Sequence, residues 1–385
     1  MKWFCFFSLW LASFTGNAQQ IMYGRTTGRL PYLEYGLGDD RLGGAKMGYL
    51  DTGVLMQVVD SFNNDYKVQL SALHAAYLPK QNFVADTAFK PAPHFLSSCF
   101  RLWGDDRYDY VSIALPERLP YKSVQQINPA RIVIDIYGAT TNTNWITQLK
   151  TAEEVANLWY EQPEDDVLRV FIELKHNQHW GYFMYYAKNA LQVRIKRQPE
   201  KLKIKELVIA VDAGHGGPGS TGARGATTGI LEKDYTLKMA QQLQKKLEHE
   251  GATVYMTRTD DTDVTMIDRT LNLRQRDPHL MISIHLNSSG NAAIKGTSTY
   301  YRYIGFRPLS QAILARMLHL GLHNFGNIGA FNFSLSGPTE YPNCLVEVAF
   351  LSNAEDEKRI LDEGFHEDVA EQIYKGIKDW LKELK

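Results

Sequence analysis

Leu207-Val208-Ile209-Ala210-Val211-Asp212-Ala213-Gly214-His215-Gly216-Gly217 is an apolar run that ends in an acid and then in a histidine set among glycines. A short apolar run stopped by glycine reads as a buried strand entering a tight turn. Downstream, the pattern continues as strand and helix in alternation. Helical periodicity spans residues 233–250, stops at Gly251, and returns over 308–322 and, strongly amphipathic, over 365–384. Apolar strands are expected at 253–257, 280–285 and 344–349. Such alternation predicts an α/β domain over residues 207–385, with a largely parallel sheet flanked by helices. In sheets of this kind ligands gather beyond the carboxyl ends of the strands.

Those ends carry the chemistry. Glycines on both sides of His215 let the backbone turn sharply and leave the imidazole uncovered. Ser283-Ile284-His285-Leu286-Asn287 places a second histidine where another apolar strand ends. Glu232 opens a helix after the glycine-rich loop 216–229 and can reach back to the same crevice. Two imidazoles and a carboxylate make an open three-ligand zinc site, with the fourth position left for water or substrate. Glu347 lies in the middle of the apolar run Leu345-Val346-Glu347-Val348-Ala349-Phe350, where an acid needs a partner or a task. Beside a metal site that task is to accept a proton from water and return it to a leaving amine. Each residue also has a plainer reading: a core or loop histidine, a favourable charge at a helix start, an acid paired with arginine. Their joint placement is what points to a metal hydrolase.

At 385 residues the chain is too long for one ordinary core. Two small all-β domains are expected upstream, over residues 22–95 and 96–198, with a charged linker at 199–206. Alternating runs such as Val54-Leu55-Met56-Gln57-Val58-Val59, Arg131-Ile132-Val133-Ile134-Asp135-Ile136 and Leu168-Arg169-Val170-Phe171-Ile172-Glu173-Leu174 mark their strands. Lys2, the apolar run from Trp3 to Phe14 and the close at Gly16-Asn17-Ala18 read as a secretory signal peptide over residues 1–18. Export to the periplasm or cell envelope is expected, without stable membrane insertion after cleavage. The two cysteines that remain, Cys99 and Cys344, make no disulfide framework. A formal charge of -1 argues against nucleic acid as a partner.

With these residues in hand, the C-terminal region resembles the zinc-dependent N-acetylmuramoyl-L-alanine amidases. The resemblance rests on five ordered segments: 211–217, Leu231-Glu232-Lys233-Asp234, Thr257-Arg258-Thr259-Asp260, 283–287 and 345–353. It implies zinc held by His215, Glu232 and His285, Glu347 as catalytic acid and base, and no organic cofactor. The implied cut separates the lactyl group of N-acetylmuramic acid from the L-alanine of a peptidoglycan stem peptide. Asn287 and Arg269 are candidate substrate contacts, Arg269 being read in preference as a structural ion-pair residue. Residues 22–95 resemble bacterial Src-homology-3 type barrels, and 96–198 resemble the AMIN type of β-sandwich. Departures from the amidase pattern are Arg274, His279 and Gly337, which would alter contacts to the peptide, and a longer loop before Glu232. Between Tyr301 and Pro342 there is little room for the helix that plugs the zinc in some relatives, so no self-blocking is expected. A cell-envelope activator stays open as a partner. A catalytically decayed wall-binding protein and a wall peptidase or deacetylase are the competing readings.

Overall fold

A computed structural model describes residues 21–38, 43–92 and 94–385, so the expected signal peptide lies outside the described residues. Seven strands, from Met22–Thr26 to Phe83–Ala85, form one antiparallel sheet in the sequence order 3-2-6-5-4-1-7. A five-stranded and a four-stranded sheet follow. Period-two patterning decides their faces: within Val167–Leu174 the buried and half-buried residues alternate from Leu168 onward, and Arg169 on the outer face meets Asp135 at 2.6 Å. One apolar cluster runs through all of this region, from Leu33 and Met56 to Ile134, Val170 and Ile195. The two upstream β-units therefore share a core, where independent small domains were expected.

The C-terminal domain is built from β1 (Val208–Ala213), α1 (Glu232–His249), β2 (Thr253–Met256), α2 (Met266–Arg276), β3 (Leu280–Asn287), β4 (Thr297–Tyr300), α3 (Arg307–Met317), β5 (Asn324–Ile328), β6 (Asn343–Phe350), α4 (Ala354–Ile360) and α5 (Glu363–Glu383). The sheet order is β2-β1-β3-β6-β4-β5. Strands β2, β1, β3 and β6 are parallel, β4 is antiparallel to β6, and β5 pairs parallel with β4. Helix α5 begins where Asp362 Oδ1 accepts the Gly364 N–H at 3.0 Å. Its stripe of Phe365, Val369, Ile373, Ile377 and Trp380 joins the core, each such side chain contributing about 1.5–3 kcal/mol by burial. Gly376 lets α3 approach closely, since a Cβ there would stand 2.7 Å from Ile313 Cα. Helix α3 thus packs against α5.

Residues 199–206 are not a free tether. Ile204 is buried and Leu202 packs on the C-terminal core. Trp180 of the sandwich sits in that same core, 5.1 Å from the Trp380 ring. Tyr182 N–H donates to Thr339 O at 2.8 Å, and Thr339 Oγ1 donates to Tyr182 O at 2.7 Å. Lys196 Nζ, also buried, reaches Asp277 Oδ1 at 2.9 Å. Among the described residues no helix is long and apolar enough to cross a membrane.

Candidate metal centre

His215 occupies the turn after β1 with φ 61°, a left-handed conformation uncommon for a residue with a Cβ. Gly216 and Gly217, with φ 135° and 68°, complete the turn. Two arginines hold it. Arg258 donates to Ala213 O at 3.0 Å, Gly214 O at 3.0 Å and Lys233 O at 2.7 Å. Arg269, on α2, donates to Ala213 O at 2.7 Å and to His215 O. Its charge is balanced by Asp212 Oδ1 at 2.6 Å, and both side chains are 1% exposed. Asp212 also accepts from Thr257 and Ser283 hydroxyls, both at 2.6 Å. Burial opposes its ionisation, but the Arg269 charge and the two hydroxyls keep its carboxyl below the ordinary range.

Helix α1 starts at Glu232 without a side-chain cap. Its first N–H groups donate to loop carbonyls, Glu232 to Ala223 at 2.9 Å and Lys233 to Thr221 at 3.2 Å, which satisfies donors that a helix start leaves open. Glu232 is consequently fixed at the mouth of the long loop. Its Oε1 lies 3.2 Å from His215 Nε2 and 3.0 Å from His285 Nδ1, and accepts the Leu286 N–H at 3.0 Å. Burial raises the cost of ionising Glu232; the two imidazoles overcome it and hold the carboxyl well below its usual range. Gly214 and Gly222 allow the approach, because a Cβ would meet the His285 ring at 2.5 Å or Glu232 Oε2 at 2.5 Å.

The expected trio therefore converges: one ligand atom from each of His215, Glu232 and His285 lies within 4.8 Å of the others. The donor set of two imidazoles and a carboxylate suits zinc. His285 Nε2 is buried without a hydrogen-bond partner among the described residues, and Ser220 Oγ engages the outer Nδ1 of His215 at 3.1 Å, the outer contact a ligating imidazole commonly makes. These residues fit a metal ion.

Glu347 is the one residue of β6 that is not buried. It stands in register with His285 of the parallel neighbour β3 and with Ser298 of β4, so it shares a sheet face with His285. Asn287 is at the rim, its Nδ2 donating to Tyr300 Oη at 3.3 Å. Arg269, in contrast, has no face open to a peptide; its geometry supports the structural reading. Arg274 and His279 are engaged by residues outside the trio. Arg274 pairs with Glu340 at 2.7 Å and stacks 4.4 Å over Phe183 of the sandwich, and His279 Nδ1 accepts the Val208 N–H at 2.9 Å. Sequence reading quoted Arg258 in a motif without giving it a task, and it missed the aromatic wall in which Phe333 lies 5.4 Å from His285 and Phe331 lies 4.6 Å from Tyr300. No local signal marks those aromatics, since segments distant in the chain bring them together.

A sheet whose strand ends gather two imidazoles and two carboxylates is a site able to hold a metal ion and to move a proton beside it. Residues 209–379 match the N-acetylmuramoyl-L-alanine amidase family, and residues 100–205 match the AMIN domain. It is 36% identical over 180 residues to the probable cell wall amidase LytH of Staphylococcus aureus, a match taking in 46% of this chain and 60% of that protein. The chain thus spans about 60% of the length of the curated relatives it matches. Among solved structures, the catalytic domain of CwlV, an N-acetylmuramoyl-L-alanine amidase from Bacillus (Paenibacillus) polymyxa var. colistinus, is 33% identical, with a TM-score of 0.43 over 46% of this chain and 98% of that one. The CwlD amidase of Clostridioides difficile, solved in complex with the GerS lipoprotein, is 28% identical, with a TM-score of 0.42 over 46% and 98%.

Proposed function

We propose that the protein is an extracytoplasmic peptidoglycan hydrolase that cleaves the amide bond between N-acetylmuramic acid and the L-alanine of the stem peptide. The observation that carries this reading is the convergence of His215, Glu232 and His285 within 4.8 Å, with Glu347 in register beside His285. Those three side chains would hold zinc, which when bound supplies a Lewis acid for the amide carbonyl and lowers the pKa of water. Glu347 accepts the proton of the attacking water and returns it to the nitrogen of the L-alanine as the bond breaks. Glu232 stays ionised as a ligand, and the Arg258 and Arg269 contacts keep His215 aimed. The sandwich is read as the AMIN module that presents the enzyme to the wall, and residues 22–95 as an SH3-type module.

Helix α3 spends its apolar side on the core through Leu309, Ile313 and Met317, and the site is read as needing no activator to uncover it. The test is incubation of the mature protein, and of Glu347→Ala, with purified peptidoglycan and zinc, followed by mass spectrometry of the soluble products. Intact stem peptides released by the wild type alone, and lost on chelation, are expected. Released acetate would move the reading to a deacetylase. No product from a zinc-loaded wild type would favour a wall-binding protein.

A further inference from the structure

The segment 329–337, between β5 and β6, connects the zinc site to the N-terminal sheet. On one side it carries the aromatics that border the trio: Phe333 lies 5.4 Å from the His285 ring, and Phe331 contacts Tyr300 at 4.6 Å and Phe333 at 6.3 Å. On the other side it caps Lys46–Tyr49, the edge strand of the seven-stranded sheet. An edge strand offers backbone groups that need partners. Asn332 supplies them, its Oδ1 accepting the Lys46 N–H at 3.1 Å and its Nδ2 donating to Gly44 O at 2.8 Å. Arg302 donates both to Asn332 Oδ1, at 3.2 Å, and to Lys46 O. Tyr49 Oη donates to Ser334 O at 3.1 Å.

Steric fit points the same way. A Cβ on Gly337 would stand 2.8 Å from Tyr49 Cε2 and 3.1 Å from Ser334 O. The glycine therefore leaves the space that the Tyr49 ring fills, while Gly337 O accepts from Tyr303 Oη at 2.7 Å. A side chain at this position would lift the tyrosine off the segment.

We propose that Asn332 and Tyr49 are positioning residues through which the N-terminal sheet holds the 329–337 segment, and with it the Phe331 and Phe333 wall, beside the metal centre. The first β-unit then acts on the aromatic border of the metal centre as well as on whatever it binds elsewhere. Only the kinetic half of this inference rests on the amidase reading. A wall that contacts the substrate without reacting stabilises ground state and transition state alike, so loosening it raises KM more than it lowers kcat.

The test compares full-length mature protein with Asn332→Ala, Tyr49→Phe and Gly337→Ala, each checked for zinc content. Hydrogen exchange of peptides covering 329–337 is followed by mass spectrometry, and KM and kcat are measured on a soluble muramyl-peptide fragment. Expected are roughly tenfold faster exchange in 329–337, unchanged zinc stoichiometry and about a tenfold higher KM with kcat within roughly twofold. Asn332→Asp, which keeps the acceptor for Lys46 and Arg302, should restore part of the protection. Should Asn332→Ala fail to fold, Tyr49→Phe, which deletes one oxygen, decides. Exchange in 329–337 that does not change overturns the tether, and faster exchange with unaltered KM overturns its effect on the cleft. A zinc-loaded wild type without amidase activity would instead sink the proposed function, with exchange still deciding the tether.

Discussion

Replacing Arg269 by methionine should be among the most damaging single changes in the C-terminal domain, although the residue lies almost wholly out of contact with solvent. Its guanidinium is 1% exposed and 2.6 Å from an equally buried Asp212. It also donates to Ala213 O at 2.7 Å and Val264 O at 3.0 Å. Methionine fills much of the volume but leaves Asp212 charged in the core and those carbonyls short of a donor. Breaking a buried pair by removing one member costs about 3–5 kcal/mol, a large share of the roughly 5–15 kcal/mol that holds a domain folded. Since Arg269 also grips His215 O, zinc occupancy should fall together with stability. Urea unfolding of wild type, Arg269→Met, Asp212→Leu and the double variant, with zinc content measured in each, forms a cycle. The double variant should recover part of the loss, because no lone charge remains in the core. A cost below about 1 kcal/mol for Arg269→Met would refute the reasoning, for it would mean that Asp212 does not depend on its partner.

Gly222→Ala should lower zinc affinity, since φ is +71° and the new Cβ would meet Glu232 Oε2 at 2.5 Å. The left-handed backbone alone costs about 1–2 kcal/mol, and metal titration by calorimetry reads the rest. Burial, reinforced by the charges of Lys196 and Arg107, pushes His279 down to about 4. The unfolded chain then gains a proton that the folded one refuses between the ordinary value near 6.5 and about 4. Stability should be complete above the upper limit and decline by up to about 3 kcal/mol as pH falls through that window. In His279→Asn the decline should shrink; an identical pH dependence of unfolding would count against it. Cys99 and Cys344 are both free, and burial holds the Cys344 thiol far above its usual range. A thiol reagent should modify Cys99 in the native protein and reach Cys344 only on unfolding.

The metal trio was legible because each member sits at a place with its own local signature. His215 follows an apolar strand and precedes glycines, His285 ends another such strand, and Glu232 follows a glycine-rich loop. What escaped is what the chain assembles over long separations. Asp212 and Arg269 are 57 residues apart. The buried side of α2 is Arg269, Thr270 and Leu273, too polar to read as an amphipathic stripe. Strand β4 is Thr297-Ser298-Thr299-Tyr300, fully buried yet rich in hydroxyls, because Thr299 Oγ1 finds the Ser310 carbonyl at 2.9 Å. The docking of the upstream units was likewise invisible: the contact from Asn332 to Gly44 spans 288 residues, and the charged stretch 199–206 looks like a tether until Ile204 is seen in the core.

The Trp180–Trp380 contact, together with the Tyr182–Thr339 hydrogen bonds, bears on how this protein can be re-engineered. A chimera made by cutting near residue 200 and grafting the C-terminal part onto a foreign targeting module would strip Trp380 of its indole partner and leave Arg274 without Phe183 beneath it. The transplantable unit is therefore larger than the catalytic segment. A working fusion must bring the sandwich with it, or redesign the exposed indole and the arginine face for water.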